Sequence, residues 1–339
     1  MLTSLELCAG AGGQALGVHL AGFKHVELVE IDAHACETLN LNSIKHSLNW
    51  PQTIPTDLTE YRADHLLGKI DLVAGGVPCP PFSKAGKQLG KDDERDMFPH
   101  ALRVINTVKP NAIMLENVAG LMEPKFAEYR EHIQHELSKL GYQSEWKLLQ
   151  ASDYGVPQLR PRVVLVAMLP CYFHFFRWPK GNNAYTKTVG EALLDLMASN
   201  GWKGAEAWAQ KANKIAPTLV GGSKKHGGPD LGPTRAKAAW RELGVNGHRL
   251  ADTVPGPDFA GEKEGYENMP LLTVRMAARI QGFPDWWEFF GKKTHSYRQV
   301  GNAFPPPVAQ AVAQQIANAL LSAKQTKNVS LIVKDPESA

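Results

Sequence analysis

The chain has 339 residues, a hydrophobic fraction of 43%, a charged fraction of 21% and a net charge of +3. These are values of an ordinary soluble globular protein of one large or two moderate domains, and they exclude a disordered, collagen-like or strongly charged chain. No apolar run is long enough to cross a bilayer. The N-terminus lacks a basic segment leading an apolar core, so no secretory signal is expected. The four cysteines form no CxxC pair and no zinc-like Cys/His spacing, which points to a reduced, cytoplasmic setting without disulfides or a structural metal.

In chain order, Ser4–Cys8 reads as a buried strand, followed by the Gly-rich turn Ala9–Gly13 and a helix from about Gln14 to Ala21. Val26–Glu30 is a second strand and Ala33–Asn42 a helix. Ile70–Ala74 and Ala112–Glu116 are further strands, Phe126–Lys139 has helical periodicity, and Val163–Met168 is a β-branched strand. Strands alternating with helices predict parallel βαβ units in an α/β, doubly wound, Rossmann-like sheet. After about Pro170 the texture turns to Gly, Pro, Lys and Trp with weak periodicity, which predicts a second, smaller and more irregular domain. Regular structure returns with a helix at Thr273–Gln281 and an alanine-rich helix at Pro307–Leu321. The tail from about Lys324 is expected to be mobile. The division is residues 1–170 plus 286–339 against 171–285.

Cys8-Ala9-Gly10-Ala11-Gly12-Gly13 follows a strand and opens a helix, where glycines allow a tight turn and close approach of backbone to a ligand. Glu30 ends the next strand about twenty residues on, where a carboxylate holds ribose hydroxyls, and Asp57, before Leu58, is placed to meet an adenine amino group. The pattern reads as a site for an adenosine-containing cofactor. An ordinary Gly-rich turn and a nicotinamide dinucleotide site remain alternatives, the latter weakened because the spacing is GxGG rather than GxGxxG.

In Gly75-Gly76-Val77-Pro78-Cys79-Pro80-Pro81-Phe82-Ser83, a cysteine sits among three prolines beyond the end of a strand. A lone cysteine is usually a small buried hydrophobe. Prolines fix φ and stiffen the loop, and the carboxyl edge of an open α/β sheet is where active sites form, so Cys79 reads as a nucleophile.

At this point the chain resembles the bacterial DNA (cytosine-5) methyltransferases over nearly its whole length. The motifs are the turn at Cys8–Gly13, Pro78-Cys79, Glu116-Asn117-Val118, Gln158-Leu159-Arg160-Pro161-Arg162, the run from Leu272 to Pro284, and Gly301-Asn302-Ala303. The resemblance implies that Cys79 attacks carbon 6 of cytosine, Glu116 protonates ring nitrogen 3, and Arg160 and Arg162 supply positive charge. It implies S-adenosyl-L-methionine as cofactor (S-adenosyl-L-homocysteine as product), held by Cys8, Ala9, Gly10, Gly12, Gly13, Glu30, Ile31, Asp57, Leu58, Gly76, Pro78, Asn302 and Ala303. The family usually has Phe where this chain has Cys8, and less surface is then offered to the cofactor.

The target carbon lies inside a stacked duplex, so base flipping is expected. The polar segment after Cys79 is expected to be a lid over DNA, with Ser83, Lys87, Gln88 and Arg95 as contacts. Residues 171–285 form the expected target-recognition domain and hinge. Within it Thr218-Leu219 resembles the family's Thr-Leu element, and Thr218, Lys224, Lys225 and Arg235 are candidate DNA contacts. Solvated basic loops are the bland alternative for these residues. Trp202, Trp208 and Trp240 are expected in the core. The same chemistry on transfer RNA, a decayed DNA-binding homologue, or an NAD oxidoreductase are the competing functions. A monomer acting on duplex DNA near the nucleoid is expected, without a membrane and with any restriction or phage-defence nuclease on a separate chain.

Overall fold

The computed structural model describes residues 1–78, 96–182, 186–221 and 229–332, with side chains as far as residue 326. The first half builds a sheet from β1 (Leu2–Leu7), β2 (Phe23–Glu30), β3 (Ile54–Pro55), β4 (Leu72–Gly75), β5 (Ala112–Val118), β6 (Gln143–Gln150) and β7 (Pro161–Met168). Their order across the sheet is β3-β2-β1-β4-β5-β7-β6. β1 pairs in parallel with β2 and β4, and β4 with β5, while β7 runs antiparallel between β5 and β6. The Rossmann-like α/β class is as expected. The sheet is mixed rather than wholly parallel because the chain reverses within residues 151–160 and returns β7 between β5 and β6.

Helices α1 (Gly13–Leu20), α2 (Ala33–Lys45), α3 (Phe98–Val108) and α4 (Ala127–Lys139) connect these strands. Asp32 caps α2 by accepting from the backbone N–H groups of His34 and Ala35. A buried histidine fastens β1, β2 and α1 together: the His25 ring bonds Ser4 Oγ and the Ala15 carbonyl, each at 2.9 Å. Burial pushes its pKa down to about 4, so it stays neutral in this position.

The second half adds α5 (Pro170–Phe173), α6 (Val189–Ala198), α7 (Ala205–Lys211), α8 (Thr234–Glu242), α9 (Val274–Ile280), α10 (Lys293–Asn302) and α11 (Pro306–Ile332). Among the described residues, four helices lie in the stretch expected to be irregular. They escape the sequence because they are short, between four and ten residues, so each shows at most a few turns of periodicity. Trp202, Trp208 and Trp240 are buried in this part, as expected. Their cluster is continuous with Ala15 and Leu16 of α1 and Leu39 of α2, so the second half shares a core with the first. The final helix returns to the sheet, where Val308, Val312 and Ile316 join the core beside Val18 and Phe23. The tail expected to be mobile from Lys324 is helical to Ile332, since the helix, once nucleated on that core, propagates at one hydrogen bond per residue. Among the described residues no helix is long and apolar enough to cross a membrane.

Candidate active site

The order of strands reverses at β1 and β4, and a crevice opens there beyond their carboxyl ends, as open α/β sheets dictate. It is a cavity of about 530 Å³, within the usual range for a small-molecule site. Its wall is assembled from the residues that follow each strand: Cys8 to Gly10 after β1, Glu30 to Asp32 at β2, Thr56 to Leu58 after β3, Gly76 and Pro78 after β4. Glu116 at the end of β5 and Asn302 and Ala303 at the end of α10 complete it. Of the thirteen residues expected to hold a cofactor, all line this cavity except Gly12.

Gly12 is therefore a correction. It caps α1 at φ 85, and a Cβ there would stand 2.7 Å from Trp287 and 2.8 Å from Leu39. Its bareness serves helix packing. Gly13 is also a close approach, where a Cβ would overlap the Phe304 carbonyl oxygen. Gly10 differs: it has φ +54 and nothing within 4 Å of where a Cβ would be, which leaves the turn open toward the cavity.

Glu30 is buried and fully oriented. One carboxylate oxygen accepts from Gly10 N at 2.7 Å, and the other from Ile31 N at 2.9 Å and Asp32 N at 2.8 Å. Burial pushes its pKa up, and these N–H donors partly offset that. Asp57 is held below the ordinary carboxylate value by the Thr59 backbone N–H, at 2.8 Å. Cys8 stands in the left-handed region at φ 51. Burial, with the charges of Glu30 and Asp57 added, pushes its thiol up to about 12, so it is a neutral wall residue and no rival nucleophile.

The donor set fits an adenosine-bearing cation. Two fixed carboxylates offer acceptors to hydroxyl and amino groups, Ile31, Leu58 and Phe304 offer apolar surface, and the negative charge favours a cationic centre. Sequence reasoning missed Gln14, Asp32, Thr56, Met97, Arg298 and Gln299 in the lining. Arg298 and Gln299 lie four and three positions before Asn302, the spacing that shares a helix face, and that signal could have found them.

Glu116 is buried at the cavity edge, with Arg162 Nε 2.8 Å from its Oε1. Burial pushes its pKa up, and Arg162 and Arg160 pull partly back. Its other oxygen faces Gly76, where a Cβ would stand 3.3 Å away. The neighbouring Asn117 donates through Nδ2 to the Val77 carbonyl at 2.9 Å, and Met97 N donates to the Pro78 carbonyl at 3.1 Å. Together they fix the chain just before position 79 and just after position 95. Cys79 itself, with Ser83, Lys87, Gln88 and Arg95, lies outside the described residues, as do Lys224 and Lys225.

Arg160, expected beside the reacting base, is turned inward. Its guanidinium donates to the carbonyls of Leu219 at 2.7 Å, Gly301 at 2.6 Å and Ala303 at 3.2 Å, and it lies outside the cavity lining. Gln158 donates to Gln281 Oε1 at 2.7 Å and accepts from Leu219 N at 2.8 Å. The Thr218 hydroxyl donates to the Leu159 carbonyl at 2.6 Å, so this candidate DNA contact is engaged within the fold. Arg235 is exposed in the first turn of α8.

Residues 2–318 match the family model for C-5 cytosine-specific DNA methylases. Over 320 residues the chain is 54% identical to the Type II methyltransferase M.NgoMIV of Neisseria gonorrhoeae, covering 94% of this chain and 98% of that one. It is 54% identical over 320 residues to the Type II methyltransferase M.NaeI of Lentzea aerocolonigenes, covering 94% of this chain and 75% of the relative. Among solved structures, a prophage-encoded E. coli protein described as a DNA modification methyltransferase superposes with a TM-score of 0.63 at 26% identity, covering 95% of this chain and 100% of that one. The Dnmt2 methyltransferase of S. pombe shares the fold with a TM-score of 0.63 at 20% identity, covering 94% and 99%.

Proposed function

The chain belongs to the C-5 cytosine-specific DNA methylases and is a DNA cytosine-5 methyltransferase, and from that premise we propose that it methylates a cytosine flipped out of a specific duplex sequence through a transient bond to Cys79. The observation that carries the reading is the joint between Glu116-Asn117 and the Gly76–Pro78 turn at the edge of the cavity. It brings the carboxyl of β5 to the chain segment that leads directly into Cys79.

Carbon 5 of cytosine is a weak nucleophile. Addition of the Cys79 thiolate to carbon 6 forms a C–S bond and moves the 5,6 double-bond electrons toward carbon 5, splitting one hard step into easier ones. Glu116 holds a proton at ring nitrogen 3 as the ring takes up negative charge. Its burial favours the protonated form this requires, and Arg162 fixes its orientation. S-adenosylmethionine, when bound, supplies the methyl group on a sulfonium that carbon 5 attacks. Glu30 and Asp57 are the residues that hold the adenosine part, with Gly10, Asn302 and Ala303 around it. A base then takes the carbon 5 proton, the C–S bond breaks, and Cys79 leaves as thiolate.

Residues 171–285 are assigned to DNA recognition, with Arg235, Lys224 and Lys225 as candidate duplex contacts and the segment containing Ser83, Lys87, Gln88 and Arg95 as a lid. A monomer in the cytoplasm suffices, with the nuclease of a Type II system on a separate chain.

The test uses duplex DNA carrying 5-fluorocytosine with S-adenosylmethionine. Fluorine does not leave as a proton does, so a covalent complex accumulates and survives denaturation. It should require the cofactor and vanish in Cys79→Ser. Trapping on transfer RNA instead of duplex DNA would replace the DNA reading, and trapping that persists in Cys79→Ser would remove the assigned nucleophile.

A further inference from the structure

The Thr218–Gly221 segment and the last turn of α10 cross at backbone distance. Gly221 and Gly301 are both buried, and neither has a left-handed φ, so their own backbones would accept a side chain. What excludes one is contact. A Cβ on Gly221 would overlap Asn302 Oδ1 and stand 2.7 Å from Asn302 Cγ and 3.0 Å from the Arg298 carbonyl oxygen. A Cβ on Gly301 would meet Gly221 main chain, with the nitrogen at 2.5 Å.

The other side of this crossing is the cavity wall, since Arg298, Gln299, Asn302 and Ala303 all line it. Arg160 rivets the two segments by donating to Leu219 and Gly301 together. Asn302 lines the cavity, and its side-chain amide is packed against Gly221.

We propose that Gly221 is a positioning residue for the cofactor: its bare Cα fixes where the Asn302 amide stands in the cavity wall, so a segment assigned to DNA recognition sets the shape of the methyl-donor pocket. This rests on the reading that the cavity holds S-adenosylmethionine. A methyl group at position 221 presses first on the free end of the Asn302 side chain, which rotates away at small cost, and only second on main chain. Its effect therefore falls on the pocket more than on the fold.

The experiment is calorimetric binding of S-adenosylhomocysteine to the full chain as wild type, Gly221→Ala, Asn302→Ala and the double variant, with thermal melting alongside. Gly221→Ala should raise Kd about tenfold, the scale of one lost hydrogen bond, while its Tm falls by only a few degrees. In the Asn302→Ala background the same change should alter Kd by less than about twofold, because neighbouring sites that act through one contact are not additive. An unchanged Kd in Gly221→Ala, an equal loss in both backgrounds, or failure of Gly221→Ala to fold would each overturn the proposal. Failure of the wild type to bind would instead overturn the cofactor reading.

Discussion

Glu6 shows how much a single residue can carry without a visible partner. It lies in the middle of β1, fully buried, and neither carboxylate oxygen has a hydrogen-bond partner among the described residues. Desolvation pushes its pKa up to about 8, so it is neutral in the native protein at pH 6. The folded state then binds a proton that the unfolded state releases above the ordinary carboxylate value of 4.5. Stability should fall as pH rises from there to about 8 and stay lower above it. The drop attributable to this group is on the order of 5 kcal/mol at most. Urea unfolding at pH 6 and pH 9 checks it: Glu6→Gln should flatten the difference, and an unchanged slope would show that Glu6 ionises elsewhere. Nothing in the sequence marks this position apart from one acidic letter in an apolar strand. By contrast Glu30 and Asp57, which line the cavity, are legible, because they stand at or just after strand ends.

At the scale of elements, α1 and α11 meet through small residues. A Cβ on Gly17 would stand 2.5 Å from Ala309 Cβ and 2.6 Å from both Gln310 N and the Pro306 carbonyl oxygen. Since two of these atoms are main chain, the helices must separate to admit a side chain. Gly17→Val should therefore cost about 2–3 kcal/mol by overpacking, read as a lower urea midpoint with an unchanged m value. A loss below about 0.5 kcal/mol would mean that the helices slide freely. The strand–turn–helix starts were legible here because glycines and Asp32 punctuate them. β6 was not: as an edge strand it exposes Glu145, Lys147 and Leu148 and fully buries only Leu149, which protects the edge and erases the apolar alternation.

For the whole molecule, Arg160 is the joint. It ties the Thr218–Leu219 segment to the end of α10 by donating to the carbonyls of Leu219, Gly301 and Ala303, the last shared with the Gln281 amide. Arg160→Ala should destabilise the protein by about 4 kcal/mol, as the Leu219 and Gly301 carbonyls lose a charged donor, and the loss should appear in Tm as well as in activity. An unaltered Tm with lost activity would return Arg160 to the reacting base. Arg162, the other arginine of the Gln158–Arg162 motif, pairs with Glu116 at the cavity edge.

The sequence by itself determined the Rossmann-like class, the Gly-rich turn that borders the cavity, the acidic strand ends and the family. Those are local signals: glycines where φ must be unusual and carboxylates where strands stop. Only the tertiary structure decided that Gly12 packs while Gly10 opens, that Arg160 faces carbonyls while Arg162 faces Glu116, and that Gly221 abuts Asn302. Each of those depends on which distant chain lies opposite, and contacts between residues far apart in the chain leave no periodicity to read.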